Sequence, residues 1–335
     1  MAKYSSNMTQ EQRLIAVEHL YVVSPRHKQL LDQMEYCRTY SRISREPRCM
    51  LIEGYQGAGK TTLHEYYERL HPRERTEDGM KIPVLAATIA VPATVKSLVT
   101  KLLRTLGDPE AERGSVVNQT HRLYYFLKEC GVEILVLDEF QHFIDRDSQK
   151  ILKTISDWLK VLIVETRLPI VLIGMPYSHF VLDARGNEQL RRRFSIREDL
   201  TPFTWGEASE EQREFRTFLK MVDDELPLPG RSHLGGVTTA FRFYCATGGV
   251  MYSVMELVRT AAAEAIRCGT PILTPQLLAW AYDKRFARLY PGTPNPFTAA
   301  PRDLVMVPVE QEIPPFRSLG DFRSEKETAA SVLAA

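Results

Sequence analysis

The chain has 335 residues, 44 % hydrophobic and 25 % charged, an ordinary composition for a globular protein with room for one large domain and a smaller one. A formal net charge of +1 excludes a uniformly basic nucleic-acid binder but leaves room for a local basic stripe. The five cysteines (Cys37, Cys49, Cys130, Cys245, Cys268) form no C-x-x-C pair, so buried free thiols are expected rather than a disulfide framework or a zinc site. The eight histidines show no metal-ligand spacing and read as surface or packing residues. The N-terminus is polar, and no apolar run reaches the roughly 18 residues of a spanning helix. A cytoplasmic protein without a membrane segment is expected.

Thr9 is placed to cap a short helix running to about Leu20. Ser24-Pro25 opens a longer helix, with Leu30, Leu31, Met34 and Cys37 at helical spacing. This helix is expected to cover the edge of a sheet. The apolar run from Cys49 to Glu53 reads as a strand. It leads into Gly54-Tyr55-Gln56-Gly57-Ala58-Gly59-Lys60-Thr61-Thr62, which fits G-x-x-x-x-G-K-[ST], the phosphate-binding loop of P-loop NTPases. A helical pattern follows, completing the strand–loop–helix context. The glycines let backbone N–H groups turn inward around phosphates, and the helix N-terminus adds partial positive charge. In this loop Lys60 is expected to reach the β- and γ-phosphates of ATP, and the Thr61 hydroxyl to bind Mg²⁺.

Residues 71–81 are charged, contain Pro72 and Gly79, and read as an exposed loop. A second apolar run spans 83–91. Thr94 caps a helix with an apolar face of Val95, Leu98, Val99, Leu102, Leu103 and Leu106, and with Lys96, Lys101 and Arg104 elsewhere on it. Ser115 begins another helix, closed by Cys130-Gly131. Ile134-Leu135-Val136-Leu137 then reads as a strand buried on both faces, with Asp138-Glu139 emerging at its C-terminal end, where open α/β sheets bind ligands. There Asp138 would hold the Mg²⁺ shell and Glu139 would act as general base toward water. Residues 145–148 form a polar turn before a further helix. A strand over 168–174, a helix running toward Arg191-Arg192-Arg193, and a more exposed strand over 195–200 complete the pattern. Five strands alternating with helices predict a parallel, doubly wound α/β sheet. From Thr204, where Thr204 to Glu207 resembles a capping box, the pattern is helical only. Prolines dominate after Tyr290.

A five-stranded P-loop sheet followed by a helical lid is the AAA+ plan, and the chain resembles a TnsC/TniB-type AAA+ ATPase, the regulators of Tn7-like transposition. The residues that carry the resemblance, between about Leu14 and Leu289, are Tyr21 to Arg26, the phosphate loop, Val136-Leu137-Asp138-Glu139, Val171 to Pro176, Gln189 to Phe194 and Thr247-Gly248-Gly249. It implies an N-terminal helical segment (1–45) packing on the ATPase core, an AAA+ nucleotide-binding domain (46–203), a helical lid domain (204–290) and a Pro-rich tail (291–335).

The resemblance also implies that Gly54, Gln56, Gly57, Ala58, Gly59, Lys60, Thr61, Thr62 and Asp138 hold ATP and Mg²⁺. Arg192 or Arg193 would serve as an arginine finger on a neighbouring copy's ATP, and the active form would be a homo-oligomer, a helical filament or a ring. Lys96 and Ser115, with Thr94 and Lys101 behind them, would contact double-stranded DNA without reading its sequence. The implied partners are a transposase and a target-selector protein of the TniQ/TnsD type, in a bacterial cytoplasm. The tail segments Pro314-Pro315-Phe316-Arg317 and Asp321-Phe322-Arg323 fit either a peptide that docks on the transposase or a tail with no partner. Two departures from the AAA+ pattern are visible. Gly174-Met175 stands where a polar residue usually faces the attacking water, and Val250-Met251-Tyr252-Ser253 follows Gly248-Gly249 where relatives carry an arginine. Both point to slow hydrolysis that works as a switch. Two other readings fit the same motifs: a replication initiator or loader, and a nucleotide-switched signalling ATPase that binds no DNA.

Overall fold

The computed structural model describes residues 7–77, 79–145, 148–183, 187–206 and 209–309. In chain order its first elements are α1 (Gln10–Glu18), α2 (Pro25–Ser41), β1 (Met50–Gly54), α3 (Lys60–Leu70), β2 (Glu74–Thr76), β3 (Gly79–Lys81) and β4 (Val84–Thr88). Then come α4 (Val95–Leu106), α5 (Val116–Glu129), β5 (Ile134–Asp138), α6 (Gln149–Thr166), β6 (Ile170–Gly174), α7 (Phe180–Asp183), α8 (Glu188–Arg193) and β7 (Ile196–Leu200). The remaining helices are α9 (Ser209–Glu225), α10 (Val237–Thr247), α11 (Met251–Cys268) and α12 (Pro275–Arg285). Two 3-10 turns lie at Phe140–Phe143 and Pro301–Asp303.

The chain divides into two compact units. The α/β unit contains residues 29–56 and 60–200. Its sheet has the order β4-β5-β6-β1-β7, with every neighbouring pair parallel. The register sets Met50 against Val171 on one side and against Ile196 on the other. All five positions of β5 and of β6 are buried, which is why both read as unbroken apolar runs rather than alternating ones. A fully buried Ile, Leu or Val contributes about 1.5–3 kcal/mol by leaving water, so these strands anchor the unit's core. β7, at the edge, alternates partly buried with exposed positions. Because β1 lies between β6 and β7 while its chain continues to β4 at the far edge, the loop after β1 leaves the sheet at a topological switch point.

Local chemistry explains the helix starts. Thr94 caps α4 and Thr9 caps α1, each with a reciprocal capping box. Ser115 accepts from the Asn118 N–H at the start of α5 (3.3 Å), and the Ser24 hydroxyl accepts from the His27 N–H at the start of α2 (3.2 Å). The helix expected to run toward Phe194 is described as the short α7 and α8, with residues 184–186 between them outside the described residues. Residues 71–81, expected as a loop, carry the antiparallel ribbon β2–β3, registered Glu74 with Lys81 and Thr76 with Gly79. Every residue of that ribbon is exposed, so no apolar alternation marks it in the sequence.

The helical unit contains, among the described residues, 7–28, 57–59 and those from 201 to 309. Its core joins Phe203, Phe215, Phe218, Leu219 and Val222 to Phe243, Leu257, Val258, Ala261 and Tyr282. Here α1, expected to pack on the ATPase core, packs against α11, with Val17 and Leu20 in this core. Part of the expected tail also packs in this unit. Phe297 and Val307 are buried, Arg242 donates to the Pro296 and Ala299 carbonyls, and the Val307 N–H donates to the Cys245 carbonyl (3.0 Å). Prolines suppress helical periodicity there without preventing burial. Cys37, Cys49, Cys130 and Cys245 are buried free thiols and Cys268 is exposed. No helix among the described residues is long and apolar enough to cross a membrane. Glu207, residues 146–147 and the tail segments after 309 lie outside the described residues.

Candidate nucleotide site and surface arginines

β1 ends at Gly54, and α3 begins at Lys60, six residues later. Lys60 is buried, and its Nζ donates to the Gly54 carbonyl (2.7 Å) and the Tyr55 carbonyl (3.0 Å). The loop thus holds its own ammonium by the carbonyls at its entrance. Next in the helix, the Thr61 hydroxyl donates to Asp138 Oδ2 (2.9 Å). These two residues, expected at the same metal, stand one hydrogen bond apart.

Asp138 is fully buried at the end of β5. Burial alone would raise its pKa. The His64 ring, the Thr61 hydroxyl and the Glu139 N–H outweigh that effect and hold the carboxyl below its usual range, hence ionised. His64 Nε2 lies 3.1 Å from Asp138 Oδ2. From the sequence alone this histidine reads as a surface or packing residue. It lies one helical turn after Thr61, on the same face of α3, and that i,i+3 spacing was the available signal. A carboxylate and a hydroxyl oxygen are the hard donors that Mg²⁺ prefers, so Thr61 and Asp138 fit that ion. They would hold it together with the nucleotide, and it would neutralise charge on the phosphates.

Glu139 occupies the left-handed region at φ 59°, unusual for a residue with a side chain. Its N–H donates to Asp138 Oδ1 (2.8 Å), and its carbonyl accepts from the His142 N–H (3.1 Å). Gln141 donates from Nε2 to the Glu139 carboxylate (2.5 Å), and His142 Nε2 stands 3.6 Å from the same oxygen. The sequence offered no signal for Gln141. At the neighbouring strand end, His179 holds Glu53 through its ring (3.0 Å) and its backbone N–H (2.8 Å), which raises the pKa of His179.

In the helical unit, the Tyr252 N–H at the start of α11 donates to the Gly57 carbonyl (2.9 Å). Gly59 sits at φ 95°, and a Cβ there would stand 3.2 Å from both His27 Nε2 and Met251 Sδ. His27 is fully buried. Its Nδ1 pairs with the Ser24 hydroxyl (3.2 Å), and its Nε2 has no partner among the described residues. Burial, with the Arg26 charge, pushes its pKa down to about 4, so the ring is neutral near pH 7. Ala58, between the two glycines, is buried.

The remaining candidates are not joined to this network. Arg192 is exposed on α8, and its side chain has no partner among the described residues. Arg193 is half-buried: its carbonyl accepts from the Cys49 N–H (3.0 Å), and its Nη1 is buried without a partner among the described residues. Of the two arginines, Arg192 is the more exposed. Lys96 and Lys101 are exposed on α4, while the exposed Thr94 and Ser115 spend their hydroxyls on helix caps.

The model of the bacterial TniB protein family matches residues 13–204. The chain belongs to the TniB family. No curated protein sequence matches it. Among solved structures, the Aeropyrum pernix ORC2 protein in its ADPNP–ADP complexes is similar at 14 % identity and a TM-score of 0.58, over 80 % of this chain and 71 % of that one. The Aeropyrum pernix ORC1 protein in complex with DNA is similar at 17 % and 0.56, over 81 % and 69 %. Cdc6p from Pyrobaculum aerophilum is similar at 17 % and 0.56, over 81 % and 70 %. At such identities the likeness establishes the fold, and this TniB-family chain has the AAA+ fold.

Proposed function

We propose that this TniB-family protein is a slow ATPase of DNA transposition that assembles on duplex DNA without reading its sequence and recruits or activates a transposase. The observation that carries this reading is an asymmetry. Lys60, Thr61, Asp138 and Glu139 are assembled within one chain, whereas Arg192 is exposed and has no partner among the described residues. Such a chain supplies phosphate, metal and base positions but leaves the cation for the transition-state charge to a second copy. The bound nucleotide is ATP, with Mg²⁺ at Thr61 and Asp138. Glu139 takes the proton from the attacking water, and Arg192 of the next copy stabilises the charge spread over the transferring phosphoryl group.

Exposed Lys96, supported by Lys101, Thr94 and Ser115, supplies contacts to the DNA backbone, which give affinity that falls with salt and carries no base code. In this reading ATP favours a filament or ring on the target, a selector of the TniQ/TnsD type sets its place, and hydrolysis disassembles it. Residues 46–203 form the nucleotide domain and 204–290 the helical domain of this assembly. The fold likeness to initiator proteins supports no specific initiator role, and the family match favours transposition.

Electron microscopy of the protein with duplex DNA and a non-hydrolysable ATP analogue tests the proposal. Regular polymers that need both DNA and nucleotide are expected. Their absence at low salt would remove the reading.

A further inference from the structure

The end of β6 lacks the polar side chain that the AAA+ pattern places there, and the structure fills the same space from elsewhere. A Cβ on Gly174 would collide with the Ser178 hydroxyl and stand 3.0 Å from Gln141 Oε1. The glycine therefore makes room for two polar groups carried by neighbouring segments. Ser178 is fully buried, and its hydroxyl has no partner among the described residues.

The orientation of Gln141 follows from its partners. Its Oε1 accepts from the Met175 N–H (3.3 Å), a group that only donates, so the amide nitrogen is the atom turned to the Glu139 carboxylate at 2.5 Å. The Gln141 carbonyl accepts from the Ile144 and Asp145 N–H groups (2.7 and 2.8 Å), which fixes the backbone beneath it. The side chain is buried, so water does not compete for either bond. Met175, which holds the far side of this amide, also places its Sδ 3.7 Å from Lys60 Nζ.

We propose that Gln141 is a positioning residue for Glu139, doing from the β5 side what a polar residue at position 174 would do from β6. The amide ties the carboxylate to the end of β6, beside the ammonium that meets the phosphates, and so fixes the base relative to the attacking water. This inference rests on the ATPase reading above.

Steady-state hydrolysis and fluorescent-ATP binding, both measured on the full chain with saturating DNA, test it. Gln141→Ala should lower kcat by about 10–100-fold, part of the roughly 10²–10⁴-fold that a general base supplies, with KM and ATP affinity within about twofold of wild type. Gln141→Glu, which keeps the acceptor for Met175 but turns a second carboxylate toward Glu139 in place of the donor, should lower kcat at least as far. Gly174→Ala should lower kcat by crowding the same amide, and in the double variant with Gln141→Ala the two losses should not multiply. An unchanged kcat in Gln141→Ala, alongside wild-type hydrolysis that Glu139→Gln abolishes, overturns this inference and leaves the ATPase reading intact. A parallel loss of kcat and ATP affinity makes Gln141 a structural residue and overturns it too. No hydrolysis by the wild-type chain overturns both.

Discussion

Two sets of charged residues in the same α/β unit are arranged in opposite ways. Around Asp138, the charged side chains are held by contacts within the chain. Lys60 is held by loop carbonyls, Asp138 by Thr61 and His64, and Glu139 by Gln141. Arg192, Lys96 and Lys101 are exposed, with no side-chain partner among the described residues. Ordering a long cationic side chain costs conformational entropy, which a surface ion pair barely offsets, so free cations stay mobile until a ligand meets them. The first set is tied together within one chain, and the second is available to other molecules.

Breaking the set around Asp138 should give the largest effects. Glu139→Gln should lower hydrolysis by about 10²–10⁴-fold while leaving ATP bound, because the amide cannot take a proton from water. Trapped-nucleotide and turnover assays separate the two effects. Lys60→Ala should abolish measurable ATP binding. From the exposed set, Arg192→Ala should lower turnover by about 10³-fold without weakening ATP binding to the isolated chain, whereas Arg193→Ala should leave turnover within a few-fold. Equal losses at the two arginines would erase the distinction drawn between them.

Smaller effects sharpen the contrast. Buried neutral His27 has its pKa pushed from an ordinary 6.5 down to about 4. Above pH 6.5 neither the folded nor the unfolded ring binds a proton. As pH falls from 6.5 toward 4, only the unfolded ring does, so stability should drop by on the order of 3 kcal/mol. Denaturation midpoints of wild type and His27→Phe across that window should diverge if the effect belongs to this ring. Lys96→Glu should weaken DNA binding and reduce the salt slope by about one unit per lost phosphate contact, with ATP affinity unchanged. Thr94→Ala should cost about 1 kcal/mol through the lost cap of α4, whatever its effect on DNA.

The legibility of the sequence followed the same division. The five core strands were readable because β1, β4, β5 and β6 are short apolar runs and β7 closes the alternation with helices. The turn between β1 and α3 and the place of Asp138 at the end of β5 were readable because the motifs fix residue types at fixed local offsets. What escaped depends on contacts between segments distant in sequence. Gln141 gains meaning only when β6 brings Gly174 and Met175 beside it, and His27 only when the chain returns Gly59 to it. The β2–β3 ribbon escaped because it buries nothing, and residues 296–307 because burial there comes without periodicity.

In the proposed mechanism one chain holds the nucleotide and another completes the site. Mixing Lys60→Ala, which keeps Arg192 but cannot hold ATP, with Arg192→Ala, which holds ATP but lacks the cation, tests it most directly. Each variant alone should be inactive, and DNA-stimulated hydrolysis should return on mixing, up to the fraction of interfaces that pair an intact loop with an intact arginine. If every mixing ratio stays as inactive as the separate variants while the two still co-assemble on DNA, Arg192 does not act across the joint and the account fails.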